Sequence, residues 1–379
     1  MIKILIFIDS FFPGIKGGGP VTSISNLATL LKESADILIC TKNHDFKSSD
    51  IYPKIVSNKI TKFKDKNVIY LSKMNTSSIV KTIDNFNPDV IYLNSFFSKS
   101  TQLILFLNYI KFKKKIIVAP RGQLQDNALK IKYIKKFVYL FLYKFLKIQK
   151  NLYFHSTDIN ESNSIKKLLS INNITEIKNV VKIYKFKPLA KNTNILKIIF
   201  VSRIVEKKNL LFSLQILKSI TQKVIFDIYG PIEDVNYWDK CKNVIDKLPP
   251  HIKVSYKGEL PPQKVIIIMR KYHAFLLPTL SENFGHVIVE AMQAGLIPII
   301  SDQTPWKGLE KINIGWSIPL NRELDYIKAI NSLCEINNKN YTDKSSGVIN
   351  YIQAKIDNKL TAEKYFNFFK YINIQRNYV

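Results

Sequence analysis

Residues 281–301 read SENFGHVIVEAMQAGLIPIIS, with an apolar run, AFLLP (274–278), before them and a Thr-Pro-Trp turn after them. A helical pattern from Val287 stops at Gly295, and residues 297–300 read as a short buried strand, so the unit is strand, loop, helix, strand. In an open α/β sheet, ligands bind where such a loop meets the next helix. A helix starting near Gly285 and His286 leaves the amides of Asn283, Phe284 and Gly285 at its free N-terminus, where unpaired donors and the positive dipole end receive phosphate or sugar oxygens. Glu282 stands in the loop, able to accept from hydroxyls. Glu290 lies about one turn into the helix, four residues after His286 on the same face, and its apolar neighbours Val289 and Ala291 predict burial beside a partner. Two acceptors so spaced suit a polyol carrying a phosphate; the plainer reading is one loop acid and one solvated helix acid.

This arrangement resembles the Glu-x7-Glu signature of retaining glycosyltransferases of the GT-B fold, in particular glycosyltransferase family 4. Phe284-Gly285, Glu290-Ala291-Met292 and Gly295 strengthen the likeness. The resemblance implies that Glu282 faces hydroxyls of a donor sugar and Glu290 the ribose of its nucleotide. It also implies an α/β architecture of two Rossmann-like doubly wound domains facing across a cleft. Residues 1–186 would then form the acceptor domain, 187–357 the nucleotide-sugar donor domain, and 358–379 a helix crossing back to the first.

A length of 379 residues is enough for two such cores. The net charge is +28, unevenly shared. Residues 1–186 hold 30 basic and 12 acidic side chains (+18), and residues 187–379 hold 27 and 17 (+10). Three separated cysteines, Cys40, Cys241 and Cys334, indicate neither a disulfide framework nor a zinc site and fit a reducing, cytoplasmic setting. Residues 4–8 are too short an apolar core for a signal peptide and read as part of the first strand. No run reaches the length of a membrane span.

In the first half, strand 2–8 leads into FFPGIKGGGP and a helix whose apolar positions are Val21, Ile24, Leu27, Ala28 and Leu31. A glycine-rich turn between strand and helix brings backbone close to a phosphate; the alternative is a flexible surface turn. By resemblance, Gly18 and Gly19 approach the donor diphosphate. Further strands are expected at 36–40, 68–71, 89–93 and 115–119, alternating with helical patterns, which argues a parallel sheet. Asn94-Ser95 and APRGQL (119–124) follow two of these strands. Arg121-Gly122 resembles a Pro-Arg-Gly segment of the family, and Arg121 and Asn94 are placed as donor or acceptor contacts; a surface arginine is the alternative. In HSTDINESNSIKKL (155–168), Glu161 falls near a helix N-terminus, where a carboxylate favours the dipole.

Residues 129–150, LKIKYIKKFVYLFLYKFLKIQK, are helical, basic and aromatic. Lys132, Lys135, Lys136, Lys147 and Lys150 share one face and most of the remainder is apolar. Such a helix either lies on an anionic membrane surface or buries its apolar side under a solvated lysine face.

Residues 186–196 mix Pro, Lys and Asn and are the candidate linker. A second series follows, with strands at 197–202, 224–229, 253–256 and 274–278. Arg203 and Lys208, five apart after a strand and with a helix expected from about Lys208, match the family's Arg-x4-Lys pair, whose cations take the donor diphosphate; two solvated cations are the alternative. The loops near Gly230 and Gly258 resemble those that hold the nucleotide base. Trp306 either stacks on a ligand or packs under the loop.

The reading is therefore a retaining glycosyltransferase acting on a nucleotide-sugar donor and a glycan or lipid-linked acceptor. Such enzymes build bacterial envelope polysaccharide such as the O-antigen of lipopolysaccharide, or capsule, on the inner face of the cell membrane. No Asp-x-Asp occurs, so no metal or other cofactor is expected, and Arg203, Lys208, Glu282 and backbone amides carry the chemistry. Another GT-B activity, such as sugar-nucleotide epimerisation, and a basic binding protein stay open as alternatives. No recognition helix, RNP strand or zinc module points to nucleic acid.

Overall fold

The computed structural model describes residues 1–14, 17–46, 48–129, 133–191 and 194–375. They fall into two compact units: Met1–Val181 together with the C-terminal helix Asn358–Ile374, and Lys182–Asp357.

In the first unit the strands are β1 (Ile2–Ile8), β2 (Ala35–Lys42), β3 (Ile60–Phe63), β4 (Lys66–Leu71), β5 (Val90–Asn94), β6 (Lys115–Ala119), β7 (Leu152–Ser156) and β8 (Ile174–Glu176). They form one sheet in the order β3-β4-β2-β1-β5-β6-β7-β8, with every pair parallel except β3 and β4. Both faces are covered, which is why the central strands read as unbroken apolar runs. On one face Val21, Ile24, Leu27 and Ala28 of helix Gly19–Leu30 pack beside Tyr365, Phe368, Phe369 and Ile372 of the C-terminal helix. The other face carries helices Thr76–Phe86, Lys99–Leu107, Tyr133–Phe145 and Ile159–Leu169. Strand β3 escaped prediction because ITKF is a polar, half-exposed edge strand with no apolar run.

The second unit has β9 (Leu196–Val201), β10 (Val224–Tyr229), β11 (Ile252–Tyr256), β12 (Ala274–Leu277), β13 (Ile297–Ser301) and β14 (Trp316–Ile318). All pairs are parallel, in the order β11-β10-β9-β12-β13-β14. From β9 the chain winds outward to β11 and then returns to lay β12 on the other side of β9. The loops after β9 and β12 therefore flank the topological switch point, where a doubly wound sheet opens a crevice for a ligand.

Two expectations are corrected here. The segment read as a linker is bound into the second unit: the Leu189 amide donates to Ser345 Oγ (2.9 Å), and Lys191 Nζ donates to the carbonyls of Cys334 (2.8 Å) and Ile336 (3.3 Å). Within it, Asn192 and Thr193 lie outside the described residues. The helix expected at Lys208 is a 3-10 turn, Glu206–Lys208, closed by Asn209 in the left-handed region (φ 59°), and the α-helix proper is Leu210–Leu217.

Gly230, at the end of β10, has φ 137°, and a Cβ there would lie 1.9 Å from the Ser202 carbonyl oxygen after β9. Gly230→Ala is accordingly expected to destabilise the protein by about 2–4 kcal/mol. Thermal unfolding checks this, and an unchanged midpoint would contradict it.

Candidate active site

In the second unit the loops after β9 and β12 are laced together. Asn209 Nδ2 donates to the Pro278 carbonyl (3.0 Å), while Thr279 Oγ1 and the Leu280 amide donate to the Lys207 carbonyl (3.0 and 2.9 Å). This lacing seats the 3-10 turn so that Lys208 points at the β12 loop, and its ammonium forms an ion pair with Glu282 Oε2. Both side chains are largely buried, at 11% and 19% exposure. Burial alone would raise the Glu282 carboxyl; Lys208, with Lys207 and Arg203 adding to it, outweighs that and holds the group below its ordinary value.

Arg203 Nη1 pairs with Glu233 (3.0 Å) and keeps its side chain 44% exposed. Lys207 completes a trio of cations. Burial, only partly offset by Glu282 and reinforced by the neighbouring Lys208 and Arg203, pulls its ammonium below the ordinary lysine value. Sequence reading passed over Lys207 and Glu233, because neither falls in a spaced motif; the double lysine was the available signal.

Helix His286–Gln293 begins after Gly285, which is left-handed (φ 74°), and no side chain caps it. The amides of Asn283, Phe284 and Gly285 donate to no group among the described residues, and the Asn283 side-chain amide nitrogen is buried without a partner. Trp306 resolves its alternatives: Nε1 donates to the Phe284 carbonyl (2.7 Å) and the indole meets the Phe284 ring edge-on, so it packs under the loop. Glu290 departs from its expectation. It is half-buried, yet no ion pair or hydrogen bond reaches its carboxyl among the described residues, and burial raises it to about 7. A desolvated acceptor with unfilled lone pairs is suited to bind donated hydroxyls.

In the first unit the corresponding switch point lies between β1 and β5. Gly18 (φ 66°) is the N-cap of helix Gly19–Leu30, a left-handed position where a Cβ would meet nothing, so the chain there can be approached closely. The helix starts Gly19-Pro20, and Pro20 removes one of the free amide donors. Ile15 and Lys16 of this turn lie outside the described residues. Asn94 ends β5 with its Oδ1 taken by Arg121 (2.7 and 3.1 Å) and its Nδ2 buried without a partner among the described residues. Asp9, just past β1, accepts from Ser100 Oγ (2.6 Å) and lies 3.7 Å from Lys42; an isolated acid after a strand gave no sequence signal.

Arg121 is no surface arginine. Besides Asn94, its guanidinium donates to Asn179 Oδ1 (2.6 Å) and Tyr92 OH (3.0 Å). Tyr92 OH in turn meets His155 Nδ1 (2.7 Å), and Tyr365 of the C-terminal helix reaches His155 Nε2 (3.2 Å). Burial, reinforced by the Arg121 charge, drives His155 down to about 3, so the ring is neutral. Glu161 does more than favour a helix dipole, since its carboxylate accepts from the amides of Gly122 (2.6 Å) and Thr157 (2.9 Å) and from Thr157 Oγ1 (3.0 Å). Removing Arg121 from this network leaves the buried Asn94 Oδ1 unfilled and takes a donor from Asn179 Oδ1 and Tyr92 OH. Arg121→Ala is therefore expected to lower stability by about 3 kcal/mol, read as a fall in the denaturant midpoint; an unshifted midpoint would contradict it.

Residues 181–345, nearly the whole second unit, match the family model described as Glycosyl transferases group 1. Over these residues the second unit is similar to group 1 glycosyl transferases. Across the chain the fold is that of GT-B glycosyltransferases. Sucrose-phosphate synthase from Thermosynechococcus elongatus superposes with a TM-score of 0.78 at 14% identity, over 98% of this chain and 99% of that one. Anabaena HepE, in complex with UDP and glucose, gives 0.73 at 15% identity over 98% and 100%. WaaG, a glycosyltransferase involved in lipopolysaccharide biosynthesis, gives 0.67 at 9% identity over 97% and 99%. No curated protein matches the chain. In the second unit the structure brings Lys208, Glu282 and Arg203 together, and the amides of 283–285, unengaged among the described residues, share one loop and helix with Glu290. Gly18, Gly19, Asn94 and Arg121 belong to the first unit.

Proposed function

We propose that the protein is a retaining, metal-independent glycosyltransferase. It moves a sugar from a nucleotide-sugar donor to a hydroxyl of a glycan or lipid-linked acceptor, at the cytoplasmic face of the membrane, in the synthesis of an envelope polysaccharide such as O-antigen or capsule. The observation that carries this reading is the Lys208–Glu282 pair with Lys207 and Arg203 at the switch point of the second unit, beside three amides and Glu290 that have no partner among the described residues. Clustered cations and amides suit a diphosphate, and Glu290 suits a ribose diol. HepE, solved with UDP and glucose, supports a nucleotide-sugar donor, and WaaG's part in lipopolysaccharide biosynthesis supports the envelope role.

In the reaction, the bond from the anomeric carbon to the diphosphate oxygen breaks while the acceptor oxygen bonds to the same face of that carbon. The acceptor's proton passes to the departing phosphate oxygen, so no separate base is required. Lys208 and Arg203 neutralise charge gathering on the diphosphate, the largest electrostatic demand of the step. Glu282, kept ionised by Lys208, accepts from donor-sugar hydroxyls. Asn94 Nδ2, a buried donor without a partner among the described residues, is available to an acceptor hydroxyl in the first unit.

The test is turnover of a panel of nucleotide sugars with lipid-linked glycan acceptors, in the presence of a chelator, with product stereochemistry read by NMR. One donor class consumed with retention is expected. An inverted product would contradict the front-face route, and activity lost with chelator would contradict metal independence.

A further inference from the structure

The helix Tyr133–Phe145 packs on the first unit through the buried Leu140 and Tyr143, with Tyr139 set against Phe96 and Phe97. Lys136 lies on this inner side, its ammonium over the Phe97 ring and bonded to the Ala128 carbonyl. The opposite arc carries Ile134, Phe137, Val138, Phe141, Leu142 and Phe145, which are 50 to 78% exposed. Of the arrangements expected for residues 129–150, the one that buries the apolar side beneath a lysine face is thus not the one adopted; Lys132 and the Lys150 side chain lie outside the described residues. At about 100° per residue, Lys135 and Lys144, both exposed, fall on the two edges of the apolar arc. No acidic residue occurs between 127 and 157. On the same sheet face, Phe106 of helix Lys99–Leu107 and Tyr109 and Ile110 of the turn after it are also exposed, beside Lys111 and Lys113.

We propose that this arc docks the first unit on an anionic lipid bilayer, with the helix lying along the interface, its aromatic and aliphatic side chains among the acyl chains and Lys135 and Lys144 on lipid phosphates. An apolar face this long on a short helix, fringed by cations, is the chemistry of an interfacial helix. No helix among the described residues is long and apolar enough to cross the bilayer. Charge selects lipid over a second copy of the chain: pairing two such arcs would set lysine fringes against each other, whereas anionic headgroups neutralise them. Tyr139 and Tyr143 of this helix pack edge-on against Phe96, two residues past Asn94, so the docked helix stands beside the sheet edge where Asn94 ends β5. That last point, which brings a lipid-linked acceptor to the first unit's switch point, rests on the proposed function; the docking itself does not.

The experiment is co-sedimentation of the full-length protein with phosphatidylcholine vesicles, with and without about 30 mol % phosphatidylglycerol, beside the variant Phe137→Asp/Phe141→Asp. Nucleoside diphosphate binding and sedimentation velocity are measured on the same samples. Wild type is expected to pellet with anionic vesicles, at least about tenfold more than with neutral ones, and the variant to stay in solution while binding nucleotide as wild type does. Wild type left in the supernatant, equal pelleting of the variant, or a wild-type dimer that the variant dissociates would each overturn the proposal. Lost nucleotide binding in wild type with vesicle binding intact would instead count against the donor-site reading alone.

Discussion

Lys208→Ala is expected to lower the rate of sugar transfer by about a thousandfold while leaving the protein folded. The ammonium is aimed by a turn that the β12 loop holds through three hydrogen bonds, so it is already oriented when a diphosphate arrives and needs no reorganisation as charge builds. The substitution acts a second way. Without Lys208, burial is the largest remaining influence on Glu282, and its carboxyl rises toward protonation. Lys208→Ala should therefore cost more activity than Lys207→Ala, whose ammonium is one step removed and already disfavoured by burial. In the double variant Lys208→Ala/Glu282→Gln the losses should fall well short of additive, because the two side chains act as one unit. Steady-state kinetics on purified variants checks this, and full activity in Lys208→Ala would sink the assignment.

Glu290→Gln is expected to weaken nucleotide binding about 10- to 100-fold and, unusually for a binding residue, to stabilise the free protein at high pH. Burial raises this carboxyl to about 7. Between the ordinary carboxylate value and that point the folded chain keeps a proton the unfolded chain has lost, so wild-type stability declines as pH rises through this window and is lowest above it. The glutamine variant lacks this penalty. It should gain on the order of 2 kcal/mol over wild type at pH 8 and nothing below about pH 4. Ribose hydroxyls that donate to Glu290 favour its ionised form, so wild-type affinity should strengthen as pH rises through 7, and the variant should lose that dependence. Melting curves at pH 5 and pH 8, with and without nucleotide, separate the two effects; equal stability of wild type and variant at both pH values would contradict the burial argument.

The sequence made the second unit's site legible because its parts are local. Glu282, the unengaged amides and Glu290 lie within one loop and one helix, and Gly295 ends the helical pattern at the place where helix His286–Gln293 closes. Strands β1 and β6 could be bounded to the residue, since apolar runs covered on both faces have sharp edges, and so could β10, whose alternate residues are buried. What escaped depends on distant partners. The Arg121 network joins Tyr92, His155, Asn179 and Tyr365, the last 210 positions from His155, and no spacing rule reaches that far. The outward turn of helix Tyr133–Phe145 was one of two arrangements the sequence left open, for another reason: both of its arcs carry large apolar side chains, and periodicity does not say which of two apolar arcs faces the core. That no described residue partners Glu290 was hidden likewise, because apolar neighbours announce burial but not whether a cation waits nearby.

The most direct test of the donor site is calorimetric titration of the wild-type protein with UDP, GDP, dTDP and CDP in the presence of a chelator, beside Glu290→Gln and Lys208→Ala. Saturable binding of one nucleoside diphosphate, weakened in both variants and unaffected by the chelator, is the predicted result. A folded wild-type protein that binds none of the four, or that binds one equally well in both variants, would contradict it.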